Sequence, residues 1–393
     1  MLIQKIEAKV VKDSRRKNTI KIIVQTSKGD FATSAPAGKS TGKYAVRLYA
    51  KSLKGDVSFV NELDLSMVNG IDFKKFEDLE MVEGLVEKNI GGNSLFALEA
   101  SLLKAIAKEN GKELWEFLGG KKVRSSKMRA VGNSVGGGLH SKGMKGVKPD
   151  FQEFLFIGHG KNFSECVEIN EMAYELAGKL LGSVERNDEG AWETGETNEG
   201  VLEVMKKVRR ELRENGFEVD IGLDVASSSF YKTGKYCYEN SGKCLGGSEQ
   251  VEYLADLVEK YGLIYVEDGL DEKDFSGFSD LLKKVKGGGC LVVGDDLVVT
   301  NPNRLKKAIS MRAVNAIIVK PNQIGSLLKV KKVFHLAKKK GIKTIISHRS
   351  GETMDSTIAD LGVGFECDFI KTGIYGSVRR VKLDRLVEIE KKI

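Results

Sequence analysis

The sequence predicts an α/β protein, an eight-stranded β/α barrel preceded by an α+β domain, on three observations. Short apolar runs of strand character recur from about residue 128 onward, longer stretches of helical period separate them, and the first 125 or so residues break that rhythm. The predicted units are therefore residues 1–125, an α+β capping domain, and residues 126–393, a β/α barrel.

The opening runs IQKIEAKVV and TIKIIVQTS alternate apolar and polar residues as half-buried strands do. A glycine-rich stretch follows, then helices around residues 73–89 and 94–117. Beyond them come MRAVGNSV, QEFLFIG, FEVDIGLDVA, LIYVEDG, CLVVGDD, AIIVKP, KTIISHRS and DFIKTG, enough strands to close a barrel in a parallel βα rhythm. Helical stretches such as SEQVEYLADLVEKYG and GSLLKVKKVFHLAKKKG each stop at a glycine, a residue suited to the left-handed turn that ends a helix. The βα rhythm itself is the only repeat.

Composition narrows the class. At 41% hydrophobic and 30% charged residues the chain reads as globular, and no apolar run approaches the roughly 20 residues of a membrane helix. The N-terminus lacks the basic flank, apolar core and cleavage site of a secretory signal, so a cytoplasmic location is expected. Five scattered cysteines without a CxxC pair predict reduced thiols, neither disulfide framework nor zinc site. The net charge of +8 is carried by lysines mixed with glutamates at helical spacing (Lys332, Lys338, Lys339, Lys340), a solvated face and not a nucleic-acid surface; an anionic small substrate would profit from it equally.

In a barrel of this kind the chemistry lies at the C-terminal ends of the strands. Those ends carry Asp224, Glu267 and Asp295 on three successive runs, then Lys320, His348 and Lys371 on the next three. Three converging carboxylates repel one another unless a cation sits among them, and oxygen ligation without cysteine suits Mg²⁺. A cation and Lys371 near Lys320 would disfavour its charged form and make it a candidate base. His348, Arg349 and Ser350 supply an imidazole, a guanidinium fork and a hydroxyl, a set suited to phosphate.

The segments DVASSSFY, VEDGLDEKDF, GDDLVVTNPNRL, VKPNQIGS, SHRSGETMDSTIADL and IKTG resemble, in order, the signature segments of enolase (phosphopyruvate hydratase) across the whole barrel. In the first domain VKDSRRKNTIKI is similar to the family's DSRGNPT segment, APAGKSTG to its mobile SGASTG loop, and NIGGNSLFALEASLLKAIAKENGKELWEFLGG to its long helical part. The resemblance implies an enolase-type barrel and the reversible dehydration of 2-phospho-D-glycerate to phosphoenolpyruvate. It implies Asp224, Glu267 and Asp295 as ligands of a first Mg²⁺, Lys320 as the base at C2, and Glu189 as the general acid with Glu153 beside it. It further implies Lys371 on the substrate carboxylate, Arg349 and Ser350 on its phosphate, His348 and His140 lining the pocket, and Ser40 closing over it on a second Mg²⁺ that arrives with substrate. The expected partners are a small phosphorylated acid and further copies of the chain, as a homodimer or larger homo-oligomer, with no membrane and no nucleic acid.

The sequence departs from the family pattern in loops. RRKN stands for the usual GNP, NDEGA for GDEGG, and Gly269 follows Glu267 and Asp268 where the family has proline. These mark a divergent, archaeal-type member, and leave open a paralogue acting on another phosphorylated or carboxylate substrate, or a non-catalytic scaffold. HSKGMKGVKPDFQEF is about four residues longer than usual between His140 and Glu153; its glycines and lysines predict a flexible segment that closes over the site with the Ser40 loop.

Overall fold

The computed structural model describes residues 1–38, 43–119, 128–141 and 146–393. Ser40, the 125/126 domain boundary, and Lys142 with Lys145 of the lengthened loop lie outside the described residues.

The first domain opens with an antiparallel sheet of β1 (Ile3–Lys12), β2 (Asn18–Thr26) and β3 (Gly29–Ser34) in the order β1-β2-β3. Alternation along β2 sends Ile20, Ile22 and Val24, all fully buried, to one face. The helix Gly92–Glu109 packs against that sheet and is buried nearly all round, because its outer side meets the barrel. Asp56 fixes its start, accepting from Gly91 N–H (2.8 Å) and Ser94 Oγ (2.6 Å). The helices after the sheet are shorter and more numerous than the sequence pattern suggests: Leu53–Asn61, Leu65–Asn69, Leu79–Val86, Gly92–Glu109 and Leu114–Gly119.

The second region closes into a barrel of β4 (Arg129–Gly136), β5 (Glu153–His159), β6 (Glu218–Asp224) and, after an insertion, β10 (Leu263–Glu267), β11 (Leu291–Gly294), β12 (Ala316–Val319), β13 (Lys343–Ser347) and β14 (Phe369–Gly373). The insertion is a small hairpin sheet, β7 (Tyr231–Lys232), β8 (Lys235–Cys237) and β9 (Cys244–Leu245). Around the ring the order is β10-β11-β12-β13-β14-β4-β5-β6. The expected parallel rhythm fails at one strand, since β5 runs antiparallel to both β4 and β6. The described residues between β4 and β5 hold no α-helix, whereas two helices, Phe163–Leu181 and Asn198–Glu214, separate β5 from β6. Reversal places the first residue of β5, Glu153, opposite the last residue of β6, Asp224.

The cysteine expectation is also corrected: Cys237 and Cys244 form a disulfide. The two residues are cross-strand partners in the β8–β9 register, which brings together thiols that the sequence separates by seven positions. Cys166, Cys290 and Cys367 are free and buried. The tip of this hairpin holds the end of the long loop, since Glu239 N–H donates to Asp150 Oδ1 (2.7 Å) and the Asn240 amide donates to the Lys148 carbonyl.

Polar groups tie the first domain to the barrel. Asn322 donates to the Pro36 carbonyl and to Asn93 Oδ1 (both 2.9 Å), and Ala37 and Gly351 exchange backbone hydrogen bonds of 2.8 Å. Glu83 and Glu99 meet the start of the barrel helix Leu327–Lys339, where Ser326 Oγ donates to Glu83 and Leu327 N–H to Glu99 (2.6 Å). Burial and the neighbouring Glu83 push Glu99 well above the usual carboxylate range. Below pH 4.5 folded and unfolded chains both keep this proton; as pH rises the unfolded carboxyl ionises while the buried one does not, and stability falls. Glu99→Gln removes that loss and keeps the acceptor for Leu327. Thermal unfolding should show the variant more stable at pH 7, by roughly 2 °C or more in Tm, with the gap shrinking as pH falls toward 4.5.

Candidate functional site

Each site side chain takes its position from a strand end or the loop just after it. Asp224, Glu267 and Ser347 are the last residues of β6, β10 and β13, and Lys371 lies in β14 beside Ser347 in register. Asp295 and Lys320 directly follow β11 and β12. Asp268 holds a left-handed backbone (φ 43°), and its two carboxylate oxygens accept the N–H groups of Asp295 (2.9 Å) and Asp296 (2.8 Å), which fixes the turn that presents Asp295. These groups surround a cavity of about 230 Å³, small enough for a compact organic acid and too small for a drug-sized ligand. Every expected site residue except Glu267, buried beneath it, and Ser40, outside the described residues, lines this cavity.

Lys371 is the centre of the charge arrangement. Its ammonium donates to Asp224 Oδ2 (2.9 Å) and Glu267 Oε2 (2.7 Å) and lies 3.0 Å from Glu153 Oε2. Burial alone would lower its pKa, but the three carboxylates raise it well above the usual lysine value. The same burial, together with mutual repulsion, pushes Asp224 and Glu267 upward against the pull of Lys371. Tyr265 Oη donates a further 2.6 Å hydrogen bond to Glu267 Oε2.

The Lys320 ammonium pairs with Asp295, and although burial and Arg349 lower its pKa, Asp295 and the nearby acids prevail and raise it. The charged form is favoured as long as Asp295 is its partner.

A second cluster forms on the β4–β5 side. Glu189 lies between two imidazoles, its Oε1 3.2 Å from His140 Nε2 and its Oε2 4.0 Å from His348 Nε2. His140 Nδ1 lies 3.4 Å from Glu153 Oε1, so one histidine joins both glutamates. Asn187 builds the turn that presents Glu189, since its Oδ1 accepts from Glu189 N–H (2.9 Å) and Ala191 N–H (3.1 Å). Arg186 braces the turn, with its guanidinium against the rings of Trp192 (3.8 Å) and Tyr375 (4.1 Å).

Among the described residues, three groups of side chains could hold a cation. Buried oxygens Glu267 Oε1 and Asp295 Oδ1 have no hydrogen-bond partner among the described residues, and Asp224 completes three carboxylates from successive strand ends. Such an all-oxygen set fits a hard divalent cation. The other two groups are Asp268, Asp295 and Asp296, and His140, Glu153 and Glu189, in each of which the ligand atoms lie within 4.8 Å of one another. Burial and Asp295 push Asp296 up to about 7.

The sequence reading missed Asp268, Asp296 and Arg379. Arg379 donates to His348 Nδ1 (2.8 Å) and to the carbonyls of Arg349 (2.7 Å) and Ser350 (2.8 Å). A signal existed: in the last helix Arg379 and Lys382 occupy the inward face shared with Leu383, Leu386 and Ile389, where period alone asks for apolar residues. The first domain reaches the same segment through Arg15, which donates to Ser350 Oγ (3.2 Å) and the Ala37 carbonyl (2.7 Å).

A closed barrel with one reversed strand, covered by an α+β domain and carrying acids, lysines and imidazoles at its mouth, defines a protein of the capped β/α-barrel class. The family profile "Enolase, C-terminal TIM barrel domain" matches residues 129–393. The chain is 34% identical over 401 residues to an enolase of Thermoplasma acidophilum (99% of this chain, 98% of the relative) and 36% identical over 400 residues to one of Methanocorpusculum labreanum (99% and 98%). An enolase of Archaeoglobus fulgidus is 35% identical over 405 residues (99% and 97%). The chain belongs to the enolase family.

Replacing Lys371 leaves three buried carboxylates without their shared cation. Lys371→Met should destabilise the metal-free protein by about 3–5 kcal/mol, measured by urea unfolding at pH 7 with chelator present. A loss under about 1 kcal/mol would show that those acids are compensated elsewhere.

Proposed function

We propose that this protein is a hydro-lyase that reversibly dehydrates 2-phospho-D-glycerate to phosphoenolpyruvate, in glycolysis and gluconeogenesis. The observation that carries the reading is that Lys320 and Glu189 line one small cavity from separate strands. Lys320 follows β12, Glu189 sits on the loop bonded to β4, and in the ring order β13 and β14 stand between those strands. A base and an acid reaching one cavity from different strands suit removal of a proton and a hydroxide from neighbouring carbons.

In this reading Lys320 Nζ takes the proton from C2, for which it must first be released from Asp295 as the free amine. Glu189, held between His140 and His348 with Glu153 behind His140, gives a proton to the departing hydroxide at C3. Arg349 and Ser350 bind the phosphate and Lys371 orients the carboxylate. Ser40, together with the 141–149 segment, excludes water from the cavity. Mg²⁺ held by Asp224, Glu267 and Asp295, with a second ion arriving with substrate, would supply positive charge beside the carboxylate as C2 loses its proton.

The proposal includes the division into residues 1–125 and 126–393, a cytoplasmic location and a homodimer or larger homo-oligomer; no helix among the described residues is long and apolar enough to cross a membrane. A paralogue acting on another acid is favoured by no particular side chain in the cavity.

The test is incubation with 2-phosphoglycerate and Mg²⁺ while following the ultraviolet absorbance of phosphoenolpyruvate. Activity should vanish with chelator and return with Mg²⁺, and Asp295→Asn should weaken the metal-dependent rise in Tm that binding to the folded state produces. Turnover in metal-free protein would overturn the metal assignment. Lys320→Ala should lose solvent exchange of the C2 hydrogen together with dehydration, each by at least about 10³-fold, whereas Glu189→Gln should retain exchange and lose product formation. Normal exchange in Lys320→Ala would move the base elsewhere. Arg349→Lys keeps the charge and loses the planar fork, so it should impair the phosphorylated substrate by roughly 10²-fold or more.

A further inference from the structure

Arg379 lies in the last helix, Ser377–Glu390, 1% exposed, and takes no direct part in the proposed reaction. A guanidinium has five N–H donors and no lone pair to offer. Its 2.8 Å contact with His348 Nδ1 therefore has one chemical form, in which Nδ1 turns its lone pair toward Arg379 and the ring proton sits on Nε2. That Nε2 lies 4.0 Å from Glu189 Oε2, and His348 itself lines the cavity.

We propose that Arg379 is a positioning residue that fixes His348 as the Nε2–H tautomer, so that the ring offers the cavity a hydrogen-bond donor and cannot act as a proton acceptor. The inference rests, for its catalytic consequence, on the proposed dehydration. With its Nδ1 lone pair occupied and Nε2 protonated, the ring has no free lone pair for a substrate proton. The proton inventory at the mouth is then left to Lys320 and Glu189, and the ring steadies Glu189 or a substrate oxygen as a donor. The same guanidinium holds the carbonyls of Arg349 and Ser350 at 2.7 and 2.8 Å, so tautomer and phosphate-binding turn are set by one rigid fork. A lysine could not match that planar geometry.

The surroundings agree. Burial first, then Arg379, Lys371, Lys382 and Lys320, hold His348 well below the usual histidine range, with Glu189 the carboxylate that faces it. Lys382 is itself paired with Glu352 (2.8 Å), and Lys371 with Asp224, Glu267 and Glu153. No carboxylate reaches Nδ1 among the described residues, and Arg379 occupies it.

The test is long-range ¹⁵N–¹H correlation of the imidazoles in protein labelled at histidine, across pH 5.5 to 9 and without substrate. The chain has four histidines, His140, His159, His335 and His348, so His348→Asn assigns the signals by loss. The expected result is an Nε2–H tautomer for His348 in wild type that does not titrate. An Nδ1–H signal, or conversion to imidazolium within that range, would overturn the proposal without any variant being made. In Arg379→Met the ring should become a tautomer mixture that titrates. kcat for 2-phosphoglycerate should then fall by roughly tenfold or more with a new acid limb in its pH profile, while KM changes less. Unchanged tautomer and unchanged pH profile in a folded Arg379→Met would also overturn it. Failure of wild type to dehydrate 2-phosphoglycerate would sink the proposed function and leave the tautomer assignment standing.

Discussion

The structure depends on one buried ammonium. Lys371 stands where β6, β10 and the reversed β5 bring Asp224, Glu267 and Glu153 within 3.0 Å of a single point. Three carboxylates out of water carry a desolvation cost that no apolar packing offsets, and only a cation with several donors can hold them together. Lys320 does the same for Asp295, and Asp268 secures the backbone of that turn. The mouth of the barrel is thus an electrostatic lattice in which each acid is assigned a partner. A lattice of this kind is poised for exchange, because a divalent cation and an anionic substrate can take over the pairings that the lysines hold.

The first domain contributes to the same economy of charge. Arg15 reaches Ser350, Ala37 and Gly351 pair their backbones, and Asn322 joins Pro36 to Asn93. These contacts fall on the segment that carries His348, Arg349 and Ser350, which Arg379 holds from the other side. A turn gripped from both sides by guanidinium groups keeps its geometry when an anion enters, so little binding energy is spent on ordering it.

Much of this was legible in the sequence, and what was not has physical reasons. Strand runs that lead to Asp224, Glu267, Lys320 and His348 could be read because apolar runs and the polar residue that surfaces after them are local signals. The direction of β5 could not, since QEFLFIG has the same composition run either way and only its pairing with β4 and β6 reveals the reversal. The Cys237–Cys244 bond depends on a cross-strand register within a two-residue strand, which cysteine spacing does not encode. Arg379 was hidden by its own chemistry: a charge in a helix rich in charged residues reads as solvated unless its phase against Leu383, Leu386 and Ile389 is counted.

The reversed strand also governs the order in which the barrel can assemble. β4, β5 and β6 pair with their sequence neighbours, across residues 137–152 and 160–217, whereas the seam between β4 and β14 joins residues 129 and 369. Loop-closure entropy makes a pairing that distant the slow one. Lys371 rides on β14, in register with Val131 of that seam. Lys371 reaches the acids of β5, β6 and β10 only when β14 is in place, so closure of the ring and neutralisation of its mouth are linked.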